Sequence, residues 1–305
     1  LKYRQILDYI KEEGFTEQRL LYIYKSARGY SAIGDKNEAR NDFAIFIEAS
    51  TFVRTPTLEF RDYLSRAYIR RAFIIIRESE GEEIPECVMK DLSSASAHIR
   101  LLLEDSNNNT EFLGTKAWCE EAFAFAYEKK RIFYVAIEYL QKSLYLYEEL
   151  FRNTHKKEWK NSALSIQRKL LRMYKITEQD EKAKESAMLI REQKILLDEK
   201  VSVELLQDLV DVCRKTGDIE REKVFAQELK TLEIDEKRRK RNYSELYAFI
   251  QALKNQADTR GYDKIPKEFI KHVKNNMDED SRVVFDYHRK IDEQFSKDTI
   301  SLIAV

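Results

Sequence analysis

The chain has 305 residues, of which 43% are apolar and 35% are charged, and its 54 basic residues balance its 54 acidic residues. This balance excludes a strong global field that would attract nucleic acid or an anionic membrane. Turn formers are scarce, with seven glycines and three prolines, and long spans are rich in Lys, Glu, Ala and Leu. The composition therefore predicts an all-α protein.

The cysteines and the lengths of the apolar runs indicate the cellular compartment of the protein. Cys87, Cys119 and Cys213 are odd in number and far apart, which favours reduced thiols over a disulfide framework. The first residues carry charges every few positions, and no run reaches the roughly 18 apolar residues of a membrane helix. We expect a cytoplasmic protein without a membrane partner, in an oligomeric state that the sequence leaves open.

The first predicted elements are a short capping helix and a helical hairpin. Apolar residues on one face predict a helix over residues 2–13, which ends before Gly14. Two amphipathic helices follow within Leu20–Ala49, with a tight turn at Gly34 and Asp35. The hairpin has a characteristic order of small residues, aromatic residues and glycine: Ala27, Tyr30, Gly34, Ala39 and Phe43.

The next hairpin follows the same plan with a weaker pattern. A helix resumes after Pro56 and carries Phe60, Leu64 and Ala67, and its partner begins near Pro85. Arg70 and Arg71 occupy the region where a packing aromatic residue would be expected. Residues 104–112, with three consecutive asparagines, predict a loop.

The order of the first hairpin recurs three more times after this loop. The matching sets are Ala124, Tyr127, Ala136 and Leu140; Leu171, Tyr174, Ala183 and Ala187; and Val210, Cys213, Gly217 and Ala226. The recurring pattern resembles the tetratricopeptide repeat, in which small residues let two helices touch and aromatic residues fill the remaining gap. The resemblance covers residues from about 15 to 232.

Two features extend this resemblance. Equivalent positions are farther apart than the family's period of about 34 residues, which predicts long helices. Long helices and the Tyr-rich segment 122–147 are similar to those of Rap-type peptide-sensing bacterial regulators. The resemblance implies a right-handed α-solenoid of antiparallel hairpins over residues 1–242, and we expect residues 243–305 to form an irregular helical C-terminal cap.

The resemblance also nominates a binding surface. In such hairpins the first helix lines the concave groove, and those of its side chains that are not used in packing face the ligand. The nominated partner-binding residues are Tyr24, Lys25, Arg28, Phe125, Glu128, Arg168, Arg172, Lys175 and Arg214, together with Ser31, Glu121, Gln207 and Asp211.

Basic residues on one predicted helix allow two interpretations. Arg168, Arg172 and Lys175 are four and three positions apart, so they form a stripe that could clamp carboxylates or phosphates. The alternative is a solvated face that is paired with nearby glutamates. The basic cluster at 236–241 likewise could contact nucleic acid or could simply complement its own helix dipole.

We expect a non-enzymatic interaction module that binds a peptide or protein partner in its groove, as a scaffold or a sensing regulator. The alternative is an α-solenoid that contacts nucleic acid. A weaker third interpretation is a ribonuclease of the HEPN type, because Arg282 and His288 resemble the core motif of that family. The chain has no phosphate-binding loop and no metalloprotease motif, so we expect no cofactor and no metal.

Overall fold

The computed structural model describes residues 16–81, 83–106, 109–196 and 200–237, which form ten helices and no strand. The helices are α1 (Glu17–Ala32), α2 (Lys36–Ser50), α3 (Leu58–Glu78), α4 (Glu86–Asp105), α5 (Thr110–Lys129), α6 (Phe133–Thr154), α7 (Lys157–Ile176), α8 (Asp180–Leu196), α9 (Val203–Lys215) and α10 (219–237). The predicted helix at 2–13, the predicted cap at 243–305 and the boundary at 242 lie outside these residues.

The described residues divide into two compact units. The first holds the described residues up to Val201 together with Val212–Gly217, and the second holds Ser202–Asp211 and residues 218–237. Within the first unit, α1 to α8 pack in sequence, each helix against the next. Short turns make neighbouring helices antiparallel, so this unit is a stack of helical hairpins and the predicted all-α class is confirmed.

One turn geometry closes three of the hairpins. Gly34, Arg131 and Glu178 all have positive φ angles, of 84°, 58° and 56°. The amide that follows each of them donates to a tyrosine carbonyl five positions earlier, Tyr30 at 3.0 Å and Tyr127 and Tyr174 at 2.9 Å. This is the left-handed helix ending known as the Schellman motif. The recurring tyrosine therefore marks a structural repeat.

Small residues at the helix contacts confirm the predicted hairpin pattern. Ala27, Ala39 and Ala136 are fully buried, and Tyr30 packs against the core of the first hairpin. Two apolar clusters share α3. The first joins α1, α2 and α3, and the second joins α3, α4 and α5, with Tyr139 of α6 packed against it.

Side chains at the helix starts also explain where elements begin. Asp35 accepts a hydrogen bond from the amide of Glu38 at 3.1 Å, and Thr57 accepts one from the amide of Phe60 at 3.2 Å. Both satisfy amides that lack a partner in the first helical turn. Thr57 also donates to Glu17 at 2.7 Å, which ties the start of α3 to the start of α1.

Two predictions about elements are wrong in detail. The loop predicted at residues 104–112 is shorter, because α4 runs to Asp105 and α5 already begins at Thr110. Phe112 packs against the second apolar cluster, which favours helix over loop there. In α10, Phe225 is buried whereas Ala226 is exposed. A shift of one position turns a side chain by about 100° around a helix, so the predicted match was out of phase.

Candidate binding surface

The first helices of the hairpins, α1, α3, α5 and α7, lie side by side. Side-chain contacts connect each to the next: Tyr24 with Tyr63, Arg66 with Thr115, Glu121 with Lys169, and Glu128 with Arg172. The outward side chains of these four helices form one surface, which we call the first-helix face. This is the type of surface on which the sequence predicted a ligand.

The structure brings part of the predicted site together. Phe125 and Glu128 lie half-buried on α5, and Glu128 forms an ion pair with Arg172 of α7. Lys169 forms a similar pair with Glu121. Arg172 is thus engaged by a glutamate, as the alternative interpretation of the basic stripe proposed.

The other predicted residues are mostly exposed. Lys25 and Arg28 are exposed on α1, and the Lys25 ammonium is 5.8 Å from the centroid of the Tyr22 ring. Arg168 is exposed on α7, Lys175 is half-buried near the end of that helix, and Arg214 is exposed in the last turn of α9. Ser31 is exposed, and Gln207 donates to Asp211 within α9 at 3.0 Å.

The placement predicted for Tyr24 is wrong. Its side chain is 1% exposed, and its ring lies 5.8 Å from Phe43, 5.5 Å from Phe46 and 5.0 Å from Tyr63. Tyr24 belongs to the core because α3 covers a part of α1 that would be free in an isolated hairpin. A rule based on one hairpin does not include this second contact.

An aromatic cluster occupies the middle of the first-helix face. Phe73 of α3 stacks with Trp118 and Phe125 of α5, with ring centroids 5.8 Å and 5.6 Å apart. All three rings are half-buried and rest on the second apolar cluster. We call these three residues the aromatic band. The sequence nominated Phe125 alone.

Two arginines lie over the aromatic band. The guanidinium carbon of Arg70 is 5.0 Å from the Trp118 ring centroid, and that of Arg77 is 5.9 Å from the Phe73 ring centroid. At these distances the negative face of an aromatic ring attracts the guanidinium cation. The buried Nε of Arg70 has no hydrogen-bond partner. The band therefore combines apolar area with positive charge.

A partly buried polar network joins α3 and α5 next to the band. Asp62 accepts a hydrogen bond from Thr115 at 2.6 Å and an ion-paired contact from Arg66 Nε at 2.8 Å. Burial raises the pKa of Asp62 above its ordinary value, and the contacts with Thr115 and Arg66 oppose this effect. The network joins α3 to α5 one turn away from Arg70.

The sequence contained a signal for this surface that a single hairpin could not reveal. Arg66, Arg70, Phe73 and Arg77 are spaced by four, three and four residues, which places them on one side of α3. Trp118 and Phe125 are seven residues apart on α5. Only the contact between two hairpins shows that these two helix faces adjoin.

Other chemistry has little support in the described residues. No cluster of three or more His, Cys, Asp or Glu side chains there suits a metal ion, and no described helix is long and apolar enough to span a membrane. Burial raises the pKa of the Cys119 thiol, and His98 stacks on Tyr68 with its pKa lowered by burial and by Arg61. Arg282 and His288 lie outside the described residues.

Comparisons with known proteins give structural neighbours only. BtubC (BKLC) from P. vanneervenii matches with a TM-score of 0.48 and 14% identity, over 77% of this chain and 87% of that one. A structure of nearly identical TPR-like repeats, described as a kinesin light chain of Podosopora anserina, matches with a TM-score of 0.48 and 16% identity. The match covers 73% of this chain and 98% of that one. A single-substitution variant of the same repeats matches with the same values. No family model and no characterised protein sequence matches. The fold assignment therefore rests on the packing of this chain's own hairpins.

Proposed function

We propose that this protein is a helical-repeat interaction module that binds a peptide or a segment of a partner protein on its first-helix face, as a scaffold or a sensing regulator. The observation that supports this most directly is the aromatic band with Arg70 and Arg77 over its rings. The three free cysteines are consistent with a reducing, cytoplasmic setting.

The aromatic band offers a partner preorganised contact area. Aromatic and arginine side chains are enriched among the residues that dominate the binding energy of protein interfaces, and aromatic rings bury large areas with few rotatable bonds. The rings of the band are already held in place by stacking and by the core beneath them, so binding would cost little additional ordering. A partner side chain placed on the band would cover apolar surface that is now partly exposed.

The alternative of nucleic-acid binding has less support on this face. Backbone recognition of nucleic acid needs cations that are available for phosphates. On α7, Arg172 and Lys169 are engaged by Glu128 and Glu121, which place two carboxylates on this surface. Among the residues that the structure describes, the cations left without a carboxylate partner on α3 are Arg70 and Arg77, which lie against aromatic rings. Of the basic cluster at 236–241, residues 238–241 lie outside the described residues.

The proposal predicts that peptide binding depends on Trp118. A displayed library of random dodecapeptides is selected on the full chain, and the enriched peptides are titrated against the variants. We expect Trp118→Ala to weaken their binding by about 30-fold or more, the loss typical of a central interface residue. The measurement is fluorescence anisotropy of labelled peptide.

Tyr145→Ala is the matched control. Tyr145 lies on α6, a second helix, and is 60% exposed. This variant should bind the selected peptides as the unaltered chain does, and circular dichroism should show equal helix content for both variants. Retention of affinity by a folded Trp118→Ala variant would contradict the proposed function.

A further inference from the structure

We infer that the segment bound by the aromatic band carries two acidic side chains about 10 Å apart, with an apolar side chain between them, as in a stretch with acidic residues three positions apart. This inference rests on the proposed function and specifies the chemistry of the partner. The two carboxylates would pair with Arg70 and Arg77, and the apolar side chain would lie on the band.

The first step is the unequal use of the arginines of α3. This helix carries five of them. Arg61 pairs with Asp105, Arg66 with Asp62, and Arg71 with Asp91. Within the part of the chain that the structure describes, the remaining two, Arg70 and Arg77, have ring contacts and no carboxylate partner. These two are the arginines of the band.

The Arg70 side chain has a hydrogen-bond donor that is not used by the described residues. A guanidinium has five N–H donors, and its planar shape matches a carboxylate in two parallel hydrogen bonds. One donor, Nε, is buried and has no acceptor, and the group is held against Trp118 instead. The side chain is therefore positioned with hydrogen-bonding capacity that the described residues do not use.

The third step is the distribution of negative charge around the band. Among the carboxylates of α5, Glu121 and Glu128 are engaged by cations of α7, and Glu120 interacts electrostatically with Lys142 and Lys116. Glu78, next to Arg77 in the chain, pairs with Arg40 at 3.1 Å. Positive charge is thus left over at Arg70 and Arg77, and an acidic partner complements it.

The separation of Arg70 and Arg77 matches the spacing of side chains in an extended peptide. Arg70 and Arg77 are seven residues apart, which places their Cα atoms about 10.5 Å apart along the helix axis. Phe73, between them, is the ring shared by both stacked pairs. In a polyproline-type extended segment, residues three positions apart lie on the same side about 9 Å apart. The two intervening side chains project about 120° to either side of that face, so such a segment could place a carboxylate on each arginine and lay one apolar side chain along the flank of the band.

The experiment starts from the peptides selected on the full chain. Their shared sequence should contain two acidic residues separated by two positions, at least one of which is apolar. Replacing the two acids by amides, Arg70→Gln, or Arg77→Gln should each weaken binding by about tenfold or more, the typical effect of losing a charged hydrogen bond. Arg70→Gln should add little further loss with the amide peptide, since both changes remove the same contact.

Arg100→Gln is the matched control, because Arg100 is exposed on α4, 74% accessible, and sits 3.9 Å from Glu104 of its own helix. Its affinity should be unchanged. Two outcomes would overturn the inference and leave the proposed function standing. In the first, the selected peptides depend on Trp118 but lack the acid pair. In the second, they bind Arg70→Gln and Arg77→Gln as tightly as the unaltered chain. A selection with no Trp118-dependent peptide would overturn both the inference and the proposed function.

A nucleic acid is the remaining occupant to distinguish, because bases can also stack on aromatic rings. A 20-nucleotide single-stranded RNA serves as a competitor of the labelled peptide at low salt. We expect no displacement. Displacement that is lost in Trp118→Ala would assign the band to nucleic acid and would overturn the acidic-peptide inference.

Discussion

At the scale of single residues, the ion pair between Arg71 and Asp91 holds α3 against α4. Arg71 donates to both carboxylate oxygens of Asp91, at 2.8 Å and 2.5 Å, and the Asp91 side chain is 6% exposed. Removing one partner leaves the other charge without compensation in a poorly solvated place. We predict that Asp91→Ala lowers the free energy of unfolding by about 3 kcal/mol, measured by urea denaturation.

Two further variants distinguish the loss of the Arg71–Asp91 ion pair from the effect of removing any charged side chain. Arg40→Ala breaks the more exposed pair with Glu78, so its cost should be about 1 kcal/mol or less. Replacing both members, as Arg71→Met with Asp91→Leu, should recover most of the stability, because no buried charge is left unpaired. An Asp91→Ala cost no larger than that of Arg40→Ala would show that the buried pair is not structural.

Residue patterns in the sequence predicted which side chains pack between helices better than they predicted which side chains are exposed. Ala27 and Ala39 were identified as contact positions because small residues at that spacing let two helices approach, and they are buried. Arg71 was noted only as a departure from the pattern, since its partner Asp91 lies in the next helix. Tyr24 was misplaced for a similar reason, because its neighbour Tyr63 comes from another hairpin.

At the scale of elements, two glycines in helices predict opposite responses to the same substitution. A Cβ at Gly114 of α5 would lie 2.7 Å from Cη2 of Trp159 in α7, whose ring stacks on Tyr147. A Cβ at Gly29 of α1 would meet nothing within 4 Å. Alanine is favoured over glycine in a helix by about 1 kcal/mol when space allows.

We therefore expect Gly29→Ala to raise the free energy of unfolding by about 0.5–1 kcal/mol and Gly114→Ala to lower it by about 1–2 kcal/mol. Thermal and urea denaturation measure both. The smaller side chain of Trp159→Leu should remove the added cost of Gly114→Ala in the double variant. Stabilisation by Gly114→Ala alone would mean that the Trp159 ring can move away from the added Cβ without cost.

The hairpin turns were the elements best predicted from sequence, and their predictability has a local cause. Gly34 ends α1 because a left-handed residue is needed there, and glycine adopts that conformation without strain. Arg131 and Glu178 occupy the same position with less suitable side chains. Their turns were found through the preceding tyrosines and the following alanines, which kept the repeat spacing.

At the scale of the whole molecule, the candidate site could be predicted only in part, because it arises between hairpins. The sequence nominated Phe125 and Glu128 from the pattern of one repeat. The partners Phe73 and Trp118 come from two successive hairpins, and Arg70 lies in the repeat with the weakest pattern. Helix periodicity assigns a side to each residue, but the stacking of repeats decides which sides meet.

The two apolar clusters of the first unit predict that stability is local. Phe46 is fully buried in the first cluster, with its ring 5.5 Å from Tyr24 and 5.5 Å from Phe60. Leu92 is fully buried in the second. Stacked repeats derive their stability from each repeat and its nearest neighbours, so a cavity should be felt most by its own cluster.

We expect Phe46→Ala, which removes about 3–5 kcal/mol of core packing, to accelerate amide hydrogen exchange mainly in α1 and α2. Leu92→Ala should accelerate it mainly in α4 and α5. Exchange measured by mass spectrometry on the full chain compares the two patterns directly. If both variants accelerated exchange equally from α1 to α6, the first unit would unfold as a single cooperative body. In the expected case the aromatic band stays ordered when the first hairpin opens, because its rings rest on the second cluster.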